Sequence, residues 1–308
     1  MIKPDIAIIL PVYNGEKTVK RTINSLLNQS YLNFTLYICD DGSKDDSYRF
    51  INNYACKKIK IFKNKKNRGL GYTLNKLISL CDKNIKFIAM AEQDDFYYSY
   101  RLEKQVEYLK KNKDVGLVSG IADHWDGTKI TTRFPGILVK KNNYPTGIEF
   151  FKYNYREQIK VVNSCIMFRK DIHEKNKMKF SEQFPSLSVD WDYILRFSLT
   201  SKIYGLKISL VRLDRTSTRD SLTTKNLIKY DTANKLIRNF YHEFSDILTF
   251  NDYKYACATQ KYLELGDEKY FVRIKNSFKI FFVDPMKLRS IKIFFFTIIK
   301  PFHKIFKL

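Results

Sequence analysis

Ile6-Ala-Ile-Ile-Leu10, then Pro11-Val-Tyr-Asn-Gly15, then Val19, Ile23, Leu26 and Leu27 form the stretch from which the fold is read. The unbroken apolar run reads as a strand buried on both faces. Pro11 and Gly15 punctuate a loop, and the next apolar residues recur at helical spacing on one face. Strand, loop and helix in this order are the opening of a parallel βαβ unit. The pattern continues along the chain. Phe34 to Cys39 is a second strand with Asp40-Asp41-Gly42-Ser43 as its exit turn, and a helix runs from about 45 to 54. A third strand, Ile59 to Phe62, leads through the turn Asn67-Arg68-Gly69 to a helix bearing Leu70, Leu74, Leu77 and Ile78. A fourth, Lys86 to Ala91, ends in Glu92-Gln93-Asp94-Asp95; Leu102, Val106 and Leu109 mark another helix, and Val115 to Ser119 another strand. Short β-branched runs alternating with helical segments predict an α/β fold with a mostly parallel central sheet flanked by helices.

Asp40 and Asp41, Arg68, and Asp94 and Asp95 all fall just past the carboxyl ends of predicted strands, where open α/β sheets hold their ligands. After Gly120 the pattern changes. Residues 123–145 are polar and broken by Gly and Pro, which predicts loops or short antiparallel strands; a strand returns at Val161 to Phe168. Asp190-Trp-Asp-Tyr-Ile-Leu-Arg196 opens a helix, and Arg212 to Arg219 reads as a polar, basic loop.

The 308 residues are 44% hydrophobic and 15% aromatic, enough for a packed core and incompatible with a disordered, collagen-like or disulfide-stapled chain. A formal charge of +23 points to phosphate-bearing partners: nucleotide, nucleic acid or anionic lipid. Cys39, Cys56, Cys81, Cys165 and Cys257 are odd in number and form no C-x-x-C pair, so a reducing cytoplasm is expected and a structural zinc is not. The apolar run at Ile6 is too short for a secretory signal, and Ile293 to Ile299 is bracketed by Lys292 and Lys300, so a soluble or membrane-peripheral protein is expected.

Side-by-side carboxylates repel unless a cation neutralises them. Asp94 and Asp95 with Glu92 upstream therefore point to a hard metal, Mg²⁺ or Mn²⁺, completed by diphosphate oxygens. Asp40-Asp41-Gly42-Ser43 and Asn67-Arg68-Gly69 read equally well as side-chain-capped turns. His124, His173, His242 and His303 lack zinc-ligand spacing, and no G-x-S-x-G elbow marks a nucleophilic serine.

Five ordered pieces together, Ile8-Ile-Leu-Pro-Val-Tyr-Asn14, Asp40-Asp-Gly-Ser43, Asn67-Arg-Gly-Leu-Gly71, Glu92-Gln-Asp-Asp95 and Asp190-Trp-Asp-Tyr-Ile-Leu-Arg196, resemble the family 2 glycosyltransferases. These are inverting enzymes of GT-A fold that use nucleotide-diphosphate sugars. The segment Tyr100-Arg-Leu-Glu-Lys-Gln105 after the acids looks like bacterial surface-polysaccharide members. The resemblance implies that Pro11, Val12 and Tyr13 pack against the nucleobase, that Asp41 hydrogen-bonds the base and that Arg68 lies beside the nucleotide. Glu92-Gln93-Asp94 stands at the family's Asp-x-Asp position, which implies Asp94 and Glu92 as ligands of Mn²⁺ or Mg²⁺ and Asp95 as a partner for ribose, sugar or Arg. Asp190 stands at the catalytic base. Val189 replaces an acid that many members carry just before it, and Asp192, two positions along a helix, should face about 200° away. Arg212, Arg215 and Arg219 occupy the region of a basic loop over the diphosphate, with Asp214 where a His would be expected.

By the same resemblance, residues 1–225 form a GT-A catalytic domain, with a nucleotide-binding half at about 1–120 and an acceptor-side half at about 121–225. Residues 226–308 form a helical, basic C-terminal extension. The implied donor is a nucleotide-diphosphate sugar, UDP by analogy, with GDP and dTDP open. The implied acceptor is a glycan or lipid-linked glycan of capsule, lipopolysaccharide or similar polymers. Between Phe271 and Leu308 nine Lys and Arg face the single acid Asp284 among many Phe, the composition of a helix lying in an anionic membrane surface or of aromatics packed on the protein itself. A nucleotide- or glycan-binding relative without turnover is the main alternative. A nucleic-acid-binding protein ranks behind it: no helix-turn-helix, zinc-finger or RNP pattern is present, and acids at the strand ends would repel a phosphate backbone.

Overall fold

The structure, a computed structural model, describes residues 3–134, 145–158, 161–184, 188–216 and 228–264, with scattered positions between 274 and 291. The chain forms two compact units, Met1–Phe151 with Ile159–Thr224, and Lys152–Gln158 with Lys225–Leu308.

The first unit is built on one mixed sheet. Strands β1 (Ile6–Val12), β2 (Phe34–Asp40), β3 (Ile59–Lys63) and β4 (Phe87–Met90) are parallel in the order β3-β2-β1-β4, with Ile6 opposite both Phe34 and Phe87. The short β8 (Met167–Arg169) joins β4 antiparallel, then β6 (Val115–Trp125) and β9 (Lys202–Asp214) follow, parallel to each other. β5 (Phe96–Tyr97) closes the row antiparallel to β9, and β7 (Ile130–Phe134) pairs antiparallel with β6. The alternation of strand and helix seen in the sequence thus becomes a parallel half. The irregular stretch after Gly120 becomes part of a mixed half, in which β7 and β8 run antiparallel to their neighbours while β9 runs parallel to β6.

Burial explains the choice of elements. Ile6 to Leu10 are fully buried, as the unbroken apolar run requires of a strand covered on both faces. Helix α1 (Val19–Leu27) sets Val19, Ile23 and Leu26 against the sheet. Helices α2 (Ser47–Asn52), α3 (Leu70–Ser79) and α4 (Arg101–Lys111) follow β2, β3 and β5, and α4 buries Leu102, Val106 and Leu109.

Three local expectations are corrected. Pro11 and Val12 extend β1 instead of opening a loop, pairing with Cys39 and Asp40. Pro11 is tolerated because its missing N–H faces β4, as the Ile9 carbonyl does in accepting the Ala91 N–H at 2.9 Å, and β4 ends at Met90. The strand expected at Val161 to Phe168 is a 3₁₀ turn, Asn163–Cys165, followed by the three residues of β8. Arg212, expected in a loop, is a residue of β9 opposite Phe96.

Helices α5 (Gly147–Glu157), α6 (Lys170–Lys175) and α7 (Val189–Ser198) complete the connections of the sheet, and the second half of α5, from Lys152, belongs to the second unit. There Tyr155 Oη donates to the Ile237 carbonyl of α8 (Ile228–Glu243) at 2.7 Å, and Gln158 Nε2 to the Ala256 carbonyl of α9 (Phe250–Glu264) at 2.9 Å. Among the described residues no helix is long and apolar enough to cross a membrane. The basic aromatic stretch from Phe271 onward lies outside the described residues apart from those scattered positions.

Candidate active site

The chain leaves β4 into an acidic turn. One carboxylate oxygen from each of Glu92, Asp94 and Asp95 lies within 4.8 Å of the others; Glu92 and Asp94 are half-buried and Asp95 is buried. Two residues of the 3₁₀ turn reach this cluster: Asn163 Nδ2 donates to Glu92 Oε1 at 3.1 Å, and Ser164 Oγ donates to Asp95 Oδ2. The turn itself is held by α4. The guanidinium of Arg101, fully buried, donates to the carbonyls of Met90 at 2.7 Å and Ile166 at 3.2 Å, and Gln105 Nε2 donates to the Cys165 carbonyl at 2.7 Å. Burial pulls Arg101 below the usual guanidinium pKa, opposed by its neighbours Tyr97, Cys165 and Asp95. Three hard oxygen donors gathered in this way fit a Mg²⁺ or Mn²⁺ ion that keeps open positions for diphosphate oxygens.

The loop after β1 is fastened to the acidic turn by a side-chain amide acting as a strand would. Gln93 Oε1 accepts from the Tyr13 N–H at 2.8 Å, and Gln93 Nε2 donates to the Tyr13 carbonyl at 3.0 Å. Asn14 N–H donates to Ser43 Oγ at 2.9 Å and Gly15 N–H to Ser47 Oγ at 2.7 Å, so the loop also rests on the turn after β2. Arg21 of α1 spans the other side: Nη2 donates to the Asp94 carbonyl at 2.8 Å and Nη1 pairs with Asp214 Oδ2 at 2.9 Å. Burial works against the Asp214 anion, yet hydrogen bonds from Thr216 and Arg21 hold its carboxyl below the usual range.

The remaining expected residues differ in burial and in the partners they hold. Pro11 and Tyr13 are half-buried, while Val12 is packed in the core. Asp41 is buried, and its carboxylate accepts from Asn64 Nδ2 at 2.7 Å and from the Arg68 and Gly69 N–H groups, both at 2.9 Å. It therefore fixes the turn that begins α3. The Arg68 guanidinium lies over the Tyr72 ring, 4.1 Å from its centroid. Arg212 is sandwiched between Phe96 and Trp125, with ring centroids at 4.5 and 4.6 Å. Arg215 is exposed just beyond β9, and Arg219 lies outside the described residues.

Asp190 is half-buried in the first turn of α7, where its Oδ1 accepts the Trp191 N–H at 2.9 Å. Asp192 is buried and paired with Arg196 at 3.3 Å, so the two acids face apart as the helical angle requires. Behind Asp190, Tyr193 stacks on Phe180 at 4.0 Å, and its hydroxyl meets His173 Nδ1 at 2.8 Å. The backbone of Phe180 is in turn held both ways by the Asn75 side-chain amide of α3, each bond 2.9 Å.

Residues 7–176, more than half of the chain, match the family model for Glycosyl transferase family 2. The chain belongs to this family. The matched segment of the family 2 chain contains the acidic turn and the Asn163–Ser164 turn, and ends before Asp190. EpsE of Bacillus subtilis, a putative glycosyltransferase, is 37% identical over 118 residues, covering 37% of this chain and 42% of that protein. WfgD of Escherichia coli, a UDP-Glc:alpha-D-GlcNAc-diphosphoundecaprenol beta-1,3-glucosyltransferase, is 32% identical over 107 residues, covering 35% of this chain and 42% of that protein. The chain thus spans less than half the length of these two relatives. Among solved structures, S. aureus TarS 1-349 in complex with UDP-GlcNAc superposes with a TM-score of 0.63 at 13% identity over 98% of this chain and 92% of that one. Mannosyltransferase PcManGT from Pyrobaculum calidifontis, in complex with GDP-Man and Mn²⁺, superposes with a TM-score of 0.55 at 12% identity over 95% of this chain and 79% of that one. The fold is of the GT-A type.

Sequence reasoning missed Gln93, Asn163, Ser164, Asn75 and Arg21. Gln93 lay inside a recognised motif as its unassigned middle position. The others are ordinary polar residues whose partners sit far along the chain, so no local pattern marks them.

Proposed function

We propose that this protein is a metal-dependent, inverting glycosyltransferase that moves a sugar from a nucleotide-diphosphate donor, UDP, to a glycan or lipid-linked glycan in cell-surface polysaccharide synthesis. The observation that carries the reading is the gathering of Glu92, Asp94 and Asp95 within 4.8 Å at the carboxyl end of a parallel strand. The UDP-GlcNAc bound by TarS and the lipid-diphosphate acceptor in the name of WfgD support the donor and acceptor classes. Residues 1–225 are read as the catalytic domain and 226–308 as an extension whose basic aromatic end touches an anionic membrane on the cytoplasmic face.

In this reading Pro11 and Tyr13 frame the base and Arg68 and Arg215 lie along the nucleotide. Glu92 and Asp94 would hold Mn²⁺ or Mg²⁺, and the ion would supply positive charge against the departing diphosphate. Asn163 and Ser164 orient the carboxylates of Glu92 and Asp95. The half-buried Asp190 carboxylate accepts the proton of the acceptor hydroxyl as that oxygen bonds to the anomeric carbon. The bond from this carbon to the diphosphate oxygen breaks, the nucleoside diphosphate leaves, and the anomeric configuration inverts.

Thermal melting with UDP, GDP or dTDP, each in Mn²⁺ and in EDTA, tests the donor site. A ligand at about a hundred times its Kd adds about 2.7 kcal/mol. A Mn²⁺-dependent shift with UDP that Asp94→Ala abolishes is expected, and its absence with every nucleotide would sink the reading. Asp190→Asn should keep that shift and lose transfer; transfer at the wild-type rate would remove Asp190 from its role.

A further inference from the structure

The charge of this chain is unevenly spread. Between Asp46 and Asp82 there are nine Lys and Arg and no acid, and six of the lysines fall between residues 57 and 66. This segment contains β3, which stands at one end of the strand order, with no further strand paired beyond it among the described residues. Lys57, Lys58, Lys63, Lys65 and Lys66 are exposed, whereas Lys60 is half-buried and bound to Asp82 at 2.6 Å. Among the described residues the five exposed lysines meet no carboxylate.

We propose that this edge of the sheet is an electrostatic docking surface for an anionic lipid bilayer. Lysines on an edge strand also discourage strand-to-strand aggregation, but that need ends where the strand does. Lys65 and Lys66 lie past β3, in the turn, where there is no strand edge to protect. Lys57 and Lys58 lie in the turn before the five-residue β3 and Lys63, Lys65 and Lys66 at or just past its end, so the exposed charges flank a strand roughly 16 Å long. Single-stranded nucleic acid would need aromatic faces for its bases. The neighbouring rings already carry lysines: Lys63 lies 4.1 Å from the Tyr48 centroid, Lys58 5.3 Å from Phe34 and Lys60 5.3 Å from Tyr37. Long alkyl stems let the exposed ammonium groups reach a headgroup layer, where each charge multiplies partition by roughly fivefold.

The carboxyl end of β3, followed by Lys65 and Lys66, is the end at which the parallel strands present Asp41 and the acidic turn. Docking by this edge would keep the donor end beside the headgroups, within reach of a lipid-linked acceptor. That consequence rests on the proposed function; the docking itself does not. The basic stretch after Phe271 is a separate set of charges and needs its own control.

The full chain is sedimented with phosphatidylcholine vesicles, with and without phosphatidylglycerol, at low and high salt. Wild type should bind only the anionic vesicles and leave them at high salt. A variant carrying Lys57→Gln, Lys58→Gln, Lys65→Gln and Lys66→Gln should partition about six-hundredfold less, with its melting temperature and UDP-induced shift unchanged. If it melts early, the two pairs tested separately should each lose about twenty-five-fold. A matching variant with Lys292, Lys300, Lys304 and Lys307 changed to Gln measures the tail's share. Partition of the edge variant within about threefold of wild type, or indifference of wild type to phosphatidylglycerol, would overturn the proposal. So would a row whose loss weakens binding to heparin or single-stranded RNA while vesicle binding stays the same. Because the UDP shift is read without lipid, a failed docking test leaves the donor-site reading standing, and the reverse holds too.

Discussion

Replacing Asp41 by Ala should destabilise the first unit far more than an ordinary surface change, because one buried carboxylate serves three donors. Its two oxygens accept the Arg68 and Gly69 N–H groups at 2.9 Å and the Asn64 side chain at 2.7 Å, at a position 4% exposed. Asn64 keeps a second acceptor in Thr73 Oγ1 at 3.1 Å and the Gly69 N–H keeps one in Asn67 Oδ1 at 2.9 Å, so the main loss falls on the Arg68 N–H. Bonds to a charged acceptor are stronger than neutral ones, and a buried donor left unpaired costs about 1–3 kcal/mol. With the weakened bonds to the other two donors the loss comes to about 2–3 kcal/mol, and for a unit of this size each kcal/mol moves Tm by about 2–4 °C. Asp41→Asn keeps one acceptor oxygen and should lose about 1–2 kcal/mol. Urea denaturation at neutral pH measures both. An Ala variant within about 1 kcal/mol of wild type, or an Asn variant as unstable as Ala, would refute the assignment of Asp41 to the turn before α3.

Two further predictions concern the packing around α7 and α3. Burial against Phe168 and Tyr193 lowers the His173 pKa from 6.5 to about 4. The folded chain keeps this imidazole neutral while the unfolded chain protonates it, so stability is full above pH 6.5 and is lost as pH falls toward 4. By pH 4.5 the loss should be about 2–3 kcal/mol, read as a falling urea midpoint that flattens in His173→Gln. Gly71→Ala should destabilise by about 2–4 kcal/mol although Ala favours helices, because a Cβ there would sit 2.0 Å from the Ser181 backbone oxygen; an unchanged or raised Tm would contradict that close approach.

Most of the parallel half is legible in the amino-acid sequence. Ile6–Leu10 could only be buried strand, and Leu70, Leu74, Leu77 and Ile78 could only be one face of a helix, because burial imposes its period on the residues that undergo it. The placement of Asp41, Arg68 and Glu92–Asp95 at strand ends follows from the same pattern, since a parallel sheet directs all those ends to one side. The mixed half is less readable. β5 has two residues and β8 three, too few to display alternation, and the 3₁₀ turn between Val162 and Ile166 is as apolar at its flanks as a strand. Arg212 reads as loop because it is charged, yet two aromatic faces make a strand position acceptable to a guanidinium.

The amino-acid sequence by itself determined the family, the parallel core, the acidic turn and the helix that begins at Asp190, because each is written in neighbouring residues through hydrophobic period, turn chemistry and charge. Tertiary structure alone decided how those pieces are held. Asn163 meets Glu92 across 71 positions, Gln93 meets Tyr13 across 80, and Asn75 meets Phe180 across 105. A hydrogen bond requires only that two groups arrive within about 3 Å with the right direction, and nothing in the local pattern around either partner encodes that meeting. The packing of the sheet and its helices brings them together, and with them the geometry on which the site depends.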